Sequence, residues 1–387
     1  MSYGALMKKK IIILGATGSI GKSTLDVLRS NPDDFEVVGL SAHTDTALLR
    51  SIGSEFPQAL LALTKEKKKN SSDTFDFQGV QAALDLIRES NADLVVNGIA
   101  GAAGLLPSVA ALEAGADLAL ANKETIVMAG SFILDLAHKK QKRLLPVDSE
   151  HSAIFHLLEA HGSGNVEELV LTASGGPFRG CSAEDLSKVS LAQALDHPTW
   201  NMGAKITIDS ATLANKGLEV IEAVKLFGFN ASQVSVLVHP QSRIHSLVRL
   251  KDGSLYAQIS EPDMRVPIHN ALYYPSCRPC TFGRLDLADL VLSFQKPDFM
   301  AFPMLDLAYG AARRGGLYPA AYNAANEVAV AAFREERIGF MDIARVTSAV
   351  LDGDWEFADD SLDTILDGDR RARMSAERFI AEALYVS

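Results

Sequence analysis

The sequence predicts an α/β chain that opens on a doubly wound parallel sheet, continues as a mixed α+β domain and ends as an α-helical bundle. Three observations predict it. From Lys10 to Asp148, short runs rich in Val, Ile and Leu alternate with helical stretches, the pattern of parallel strands covered on both faces. After Asp148, strand-like runs and a hairpin signal appear between helices. From Met304 onward only helical spacing remains, with alanine, the best helix former, dense over Ala320–Arg334.

The expected strands of the first region are Ile11–Leu14, Phe35–Ser41, Leu60–Leu63, Asp93–Ile99, Asp117–Ala121 and Leu144–Val147. Helical stretches between them include Ile20–Ser30, Val80–Ser90 and Leu105–Ala114, and Asn31-Pro32 stops the first. In the second region Glu168–Ala173, Val234–His239, Ser246–Leu250 and Ser254–Ile259 read as strands, and Asp252-Gly253 is a two-residue hairpin signal between the last two. Ser152–Ala160, Thr212–Phe227 and Met264–Tyr274 read as helices, and Pro275–Pro303 as a long crossing connection. Ile343–Leu351 and Ala376–Leu384 complete the terminal bundle.

Composition narrows the function classes. The 387 residues are 48% hydrophobic and 22% charged, the balance of a chain that buries a core. A net charge of −11 excludes a general nucleic-acid surface but leaves room for a local basic pocket. No apolar run approaches the roughly 20 residues of a membrane span. Lys8-Lys9-Lys10 precedes Ile11-Ile12-Ile13-Leu14, a run too short for a signal peptide and better read as the first strand. The three cysteines, Cys181, Cys277 and Cys280, argue against a disulfide framework, so the expected compartment is the cytoplasm. Cys277-Arg278-Pro279-Cys280 lacks the further ligands a zinc site needs.

Gly15-Ala16-Thr17-Gly18-Ser19-Ile20-Gly21 joins the first strand to the first helix. Glycines there let the backbone approach a pyrophosphate, and the helix start offers N–H groups and a favourable dipole, so the region reads as a Rossmann-like dinucleotide site. The second strand ends in Ser41-Ala42-His43-Thr44, without the carboxylate that holds the ribose hydroxyls of NAD. NADP is therefore favoured, with Ser41, His43 and Thr44 able to bond its 2′-phosphate; His43 reads equally well as a plain loop histidine.

Asp148 and Glu150, two apart after a strand, can aim two carboxylates at one point, and Glu219 offers a third. Oxygen donors of this kind suit Mg²⁺ or Mn²⁺. On spacing alone, Asp148-Ser149-Glu150 reads first as a cap and acidic first turn for the helix at Ser152–Ala160. Thr172-Ala173-Ser174-Gly175-Gly176-Pro177, Asp209-Ser210-Ala211-Thr212 and Asn215-Lys216 supply hydroxyls, an amide and an ammonium for an anion, though each also fits a helix cap. His197-Pro198-Thr199-Trp200-Asn201-Met202-Gly203 has the composition of a closing loop, or of a structural loop that seats Trp200.

Together these motifs resemble the 1-deoxy-D-xylulose 5-phosphate reductoisomerase family. The resemblance runs through Gly15–Gly21, Gly101-Ala-Ala-Gly-Leu-Leu-Pro107, Ala121-Asn-Lys-Glu124, Val147-Asp-Ser-Glu-His151, Ala173-Ser-Gly-Gly-Pro-Phe178, His197-Pro-Thr-Trp200, Asn215-Lys-Gly-Leu-Glu219, Glu261-Pro-Asp-Met-Arg265 and Asn323-Ala-Ala-Asn-Glu327. It implies an NADPH domain over 1–147, a catalytic and dimerisation domain over 148–274, a linker over 275–303 and a helical bundle over 304–387. It implies a homodimer that binds neither nucleic acid nor membrane. The implied activity is the rearrangement and reduction of 1-deoxy-D-xylulose 5-phosphate to 2-C-methyl-D-erythritol 4-phosphate, using NADPH and Mg²⁺ or Mn²⁺, by either a retro-aldol/aldol route or an α-ketol shift.

The resemblance also implies residue roles. Asp148, Glu150 and Glu219 would hold the metal, against the capping reading. Ser174, Ser210, Asn215 and Lys216 would hold the substrate phosphate, Ser149 and Lys123 the substrate's polar backbone, and His197 and Trp200 would close over it. Lys123, Glu150, His197 and Trp200 would be the catalytic set. Thr17, Gly18, Ser19 and Ile20 would line the cofactor pyrophosphate, with Ala42, His43, Thr44, Asn122, Glu124 and Gly203 completing the cofactor site. Ala42-His43-Thr44 departs from the Gly-Lys or Gly-Ser-Asn of many members. A NADP-sensing protein without catalysis would not need three acids. An aspartate-semialdehyde-type dehydrogenase would need an activated cysteine, for which neither Cys181 nor Cys277 has the setting.

Overall fold

In chain order the strands and helices are β1 (Lys9–Leu14), α1 (Ser19–Ser30), β2 (Phe35–Ala42), α2 (Thr46–Glu55), β3 (Leu60–Leu63), β4 (Phe77–Gln78), α3 (Ala82–Glu89), β5 (Leu94–Asn97), α4 (Leu105–Glu113), β6 (Asp117–Leu120), α5 (Lys123–Lys140), β7 (Leu144–Pro146) and α6 (Ser149–His161). There follow β8 (Val166–Ala173), α7 (Ala183–Leu186), α8 (Leu191–Ala194), α9 (Ala204–Ala211), α10 (Ala214–Phe227), β9 (Val234–Val238), β10 (Ile244–Leu250), β11 (Leu255–Ile259), α11 (Arg265–Tyr273), α12 (Pro303–Arg314), α13 (Tyr318–Arg334), α14 (Asp342–Leu351) and α15 (Leu362–Val386). The computed structural model describes residues 8–66, 75–200 and 202–386. Asn201 of the expected closing loop and the lysines at 67–69 lie outside the described residues.

The described residues gather into two compact units. The first comprises Met1–Asn122, Ile133–Ser152 and Asp263–Gly283. Its core is a seven-stranded, wholly parallel sheet in the order β4-β3-β2-β1-β5-β6-β7. The order in which strands are added switches sides between β1 and β5, and the carboxyl ends of strands at such a switch point are the usual nucleotide position in sheets of this kind. Ile11 to Leu14 and Leu94 to Val96 are fully buried, as central strands covered on both faces must be.

The second unit comprises Lys123–Phe132, Ala153–Pro262 and Arg284–Ser387. It holds a four-stranded mixed sheet in the order β11-β10-β8-β9, with β10 antiparallel to both neighbours and β8 parallel to β9. The hairpin signal is met at Asp252-Gly253: Gly253 has φ 89°, and Asp252 accepts from the Ser254 N–H at 2.8 Å. The terminal helices α12 to α15 gather around α13, whose alanine-rich length is almost wholly buried.

Residues 263–283 belong to the first unit, and the start of α5 belongs to the second. The helix expected over Thr212–Phe227 is met as α10, which starts two residues later, at Ala214, because Leu213 takes a left-handed conformation (φ 58°) that separates it from α9. No helix among the described residues is long and apolar enough to cross a membrane.

Candidate active site

In the first unit the expected nucleotide loop lies between β1 and α1. Its backbone is pinned to the end of β2: the Gly15 N–H reaches Ser41 Oγ at 3.2 Å and the Ala16 N–H reaches the Ser41 carbonyl at 2.7 Å. A Cβ at Gly21 would stand 2.4 Å from the Gly15 carbonyl oxygen, so the helix can fold this closely over its own loop only with glycine there. Gly18 caps α1 without a side-chain bond, and Gly18 and Ser19 are exposed. The first N–H groups of the helix are therefore placed to receive an anion.

Ser41 is buried, and its hydroxyl is engaged with the loop through the Gly15 N–H. Ala42 is buried, and His43 and Thr44 are exposed, with His43 Nδ1 2.9 Å from Thr64 Oγ1. Asp45, which sequence reasoning passed over, caps α2 by accepting from the Leu48 N–H at 3.0 Å. Asn122 donates to the carbonyls of Ile99 (2.7 Å) and Gly101 (2.9 Å), tying together the loops that follow β5 and β6.

Asp148, Ser149 and Glu150 stand at the start of α6. Asp148 does cap the helix, accepting from the Glu150 N–H at 3.2 Å, and it also lies 3.2 Å from His151 Nδ1. A ligating oxygen of Asp148 and one of Glu150 lie within 4.8 Å of each other. Ser149 donates to the Glu150 carboxylate. Capping and metal binding are thus compatible. Two hard carboxylates at a helix start fit a divalent cation of the Mg²⁺ or Mn²⁺ kind.

In the second unit the remaining expected residues fall into two groups. Ser174, His197 and Ser210 form the first: His197 Nε2 lies 3.2 Å from Ser174 Oγ and 3.1 Å from Ser210 Oγ. His197 Nδ1 accepts from the N–H groups of Thr199 (3.1 Å) and Trp200 (2.9 Å), which curls the loop onto its own imidazole and assigns the proton to Nε2. Burial holds the imidazole pKa below its ordinary value, so it is neutral at neutral pH. Gly176 makes the grouping possible: it has φ 65°, and a Cβ there would stand 2.7 Å from the Ser210 carbonyl oxygen. Trp200 is half-buried on the same loop, and Gly203 ends the loop as the cap residue of α9.

Glu219 is the hub of the second group. It accepts from Lys123 Nζ (3.0 Å), from Asn215 Nδ2 (2.6 Å) and from Lys216 Nζ, and Lys123 also donates to Asn215 Oδ1 at 2.8 Å. Lys123, Lys216 and Glu219 are all buried, so two ammonium groups and a carboxylate compensate one another away from water. Asn215 and Lys216 therefore stand on Glu219, while Ser174 and Ser210 stand on His197.

Glu124 is paired with Lys205, at 2.6 Å. Lys205 also meets Asp209 at 2.8 Å, and Asp209 in turn accepts from Asn326 Nδ2 of α13 at 2.8 Å. Burial works against the Lys205 ammonium, but Asp209, Glu124 and Glu327 outweigh it and hold its pKa above that of an ordinary lysine. Burial likewise opposes the Glu124 carboxylate, and Lys205 more than compensates, keeping it ionised. Lys205 was given no role by sequence reasoning. Its spacing of four from Asp209, the two charged residues of that helix, was the available signal.

Family models match three stretches of the chain: 1-deoxy-D-xylulose 5-phosphate reductoisomerase over residues 11–130, its C-terminal domain over 144–227, and the DXP reductoisomerase C-terminal domain over 259–375. A 1-deoxy-D-xylulose 5-phosphate reductoisomerase of Treponema denticola is 49% identical over 370 residues, covering 95% of this chain and 96% of its own. One of Pelodictyon phaeoclathratiforme is 48% identical over 381 residues, covering 96% of this chain and all of its own. Among solved structures, the Zymomonas mobilis enzyme in complex with NADPH superposes with a TM-score of 0.86 at 38% identity, covering 97% of this chain and 99% of that one. A DOX-P reductoisomerase in complex with NADPH, fosmidomycin and magnesium gives 0.88 at 37%, covering 96% and 98%. Family models over most of the length, and relatives near half identity from end to end, place this chain in the 1-deoxy-D-xylulose 5-phosphate reductoisomerase family.

Proposed function

We propose that this chain carries out its family's reaction, the NADPH- and divalent-metal-dependent rearrangement and reduction of 1-deoxy-D-xylulose 5-phosphate to 2-C-methyl-D-erythritol 4-phosphate, with the residues gathered above. Asp148, Glu150 and Glu219 hold Mg²⁺ or Mn²⁺. Ser174, Ser210, Asn215 and Lys216 hold the phosphate, and Ser149 and Lys123 hold the sugar's oxygens. When bound, the cation supplies Lewis-acid polarisation and NADPH supplies a hydride. Lys123 positions a proton donor beside Glu219. The neutral His197 offers its Nε2 proton between two serine hydroxyls, an array of donors suited to an anion. The loop that carries Trp200 closes over the sugar and excludes water from the intermediate.

Thr17, Gly18, Ser19 and Ile20 receive the cofactor's pyrophosphate at the start of α1, and His43 and Thr44, with the backbone of Ala42, receive its 2′-phosphate. Asn122 and Glu124 support the cofactor from behind, since their side chains hold neighbouring loops and Lys205, and Gly203 borders it from the closing loop.

The observation that carries the reading is the meeting of Ser174, His197 and Ser210, residues from three separate stretches, in one hydrogen-bonded group. The test is Asp148→Asn and Glu219→Gln. Each lowers turnover on the order of a hundredfold or more and leaves the NADPH dissociation constant unchanged. Near-normal turnover at low Mg²⁺ in either variant contradicts the metal assignment.

The functional form is a homodimer. The outer strand β11 exposes Leu255, Tyr256 and Ile259, and the connection before α12 exposes Leu287 and Val291, apolar surface that a second copy would cover. A monomeric mass by light scattering contradicts this. The cysteines Cys181, Cys277 and Cys280 are free thiols, which favours a reducing, cytoplasmic setting.

A further inference from the structure

We propose that Lys205 is a positioning residue: clamped between Glu124 and Asp209, and anchored through Asp209 to Asn326, it sets the phosphate-binding hydroxyl of Ser210 and the root of the closing loop. The proposal rests on the reading of Ser210 as part of the phosphate cradle.

Lys205 sits at the second position of α9, two residues after Gly203, where the closing loop ends. Its ammonium bridges to Asp209 one turn on, and Ser210 follows Asp209 directly. The same ammonium reaches Glu124 in the first turn of α5, beside Lys123. One buried cation thus links the loop root, the Ser210 hydroxyl and the helix start that carries Lys123. It does not contact phosphate itself, because two carboxylates surround it and would repel a second anion.

Asp209 is fixed from both sides: Oδ2 faces Lys205 at 2.8 Å and Oδ1 accepts from Asn326 at 2.8 Å. Asn326 is fully buried in an alanine-rich helix, where an apolar side chain would pack without penalty. Its own Oδ1 has no hydrogen-bond partner among the described residues. A buried amide left half satisfied costs stability, so what it contributes is direction: it orients the Asp209 carboxylate. A buried ion pair likewise contributes little against an apolar replacement, but it fixes geometry. Glu327, one residue on, is held by Arg373 of α15 and adds to the field at Lys205. The C-terminal bundle therefore serves as the rigid base on which α9 is set.

The experiment measures inhibition by inorganic phosphate in competition with 1-deoxy-D-xylulose 5-phosphate, alongside the NADPH dissociation constant, in the full chain and in four variants. Lys205→Met raises the phosphate inhibition constant and the sugar-phosphate KM about tenfold, as misplacement of a binding group does, and raises the NADPH dissociation constant far less, the cofactor being reached only through Glu124 and Gly203. Lys205→Arg restores most of the loss. Asn326→Ala, which touches no residue of the cradle, raises the phosphate constant about threefold. Ser210→Ala raises it without the network being altered.

If Ser210→Ala weakens phosphate and Lys205→Met does not, the lysine is merely structural and the inference is overturned while the cradle stands. If Ser210→Ala itself changes nothing, the cradle reading fails first. If Lys205→Met weakens NADPH in step with phosphate, general loosening explains the result and the inference is overturned. Should Lys205→Met lose its cooperative thermal transition, Asn326→Ala decides: a weakened phosphate site at wild-type NADPH affinity supports the inference, and unchanged phosphate inhibition overturns it.

Discussion

Helix α10 carries Asn215, Lys216 and Glu219, and its placement depends on the absence of a side chain at Gly217. A Cβ there would stand 2.7 Å from Ala308 Cβ and 2.7 Å from the Tyr322 hydroxyl, with the Met304 carbonyl at 3.3 Å. Ordinary contact lies at about 3.5–4.0 Å, so Gly217→Ala forces roughly 1 Å of separation between α10 and the bundle. Overpacking of this kind costs about 1–3 kcal/mol, against about 1 kcal/mol gained from alanine's better helix propensity. The net expectation is a loss of up to about 2 kcal/mol and a Tm that does not rise. The larger effect falls on activity, since a displacement of about 1 Å in positioning groups can cost on the order of a hundredfold in rate. Thermal unfolding and kcat/KM for the sugar phosphate read both. Adding Tyr322→Phe removes the hydroxyl contact and recovers part of kcat/KM, although the Met304 carbonyl then lacks the donor that reaches it at 3.1 Å. A Gly217→Ala enzyme with a raised Tm and normal kcat/KM would refute the reasoning, because that is how an uncrowded helix responds.

Two further outcomes follow from the site and its surroundings. Trp200→Ala lowers kcat/KM about tenfold or more with NADPH affinity intact, by impairing loop closure, and unaltered kcat and KM return the residue to a structural role. His245 is buried on β10, with Nε2 3.0 Å from Ser260 Oγ, and burial pushes its pKa down to about 4. The unfolded histidine titrates near 6.5, so the unfolded state binds more protons between the two values. The stability from keeping His245 neutral is complete above about pH 6.5 and is lost as pH falls toward 4, on the order of 3 kcal/mol in all. Tm measured from pH 7 to pH 4 falls less steeply in His245→Gln, and parallel curves contradict the assignment.

What could be seen in the sequence was local. The strand, glycine loop and helix of Ile11–Ser30 follow one another within twenty residues, and Asp252-Gly253 carries its turn in two. The helix α5 gave no clear signal, because its first half is buried on all sides, Lys123, Glu124 and Thr125 included, and its backbone breaks at Ala129. The break between α9 and α10 falls on Leu213, a residue type with no preference for a left-handed conformation, so tertiary packing imposes it. The types of the site residues were legible, but their partners were not. Lys123 and Glu219 are 96 residues apart in sequence, and their pairing depends on how the start of α5 meets α10, whereas Asn215 and Lys216 reach Glu219 within about one turn of α10 itself. Asp148 shows the opposite case: the capping role suggested by local spacing is present in the structure, and it leaves the carboxylate suited to a cation as well.

The most direct measurement is NADPH consumption by the purified chain, with 1-deoxy-D-xylulose 5-phosphate and Mg²⁺ or Mn²⁺ each present or withheld. Consumption only when sugar phosphate and cation are supplied together, abolished by a chelator and restored by added metal, is the predicted result. Consumption that persists without the sugar phosphate, or that ignores the chelator, contradicts it.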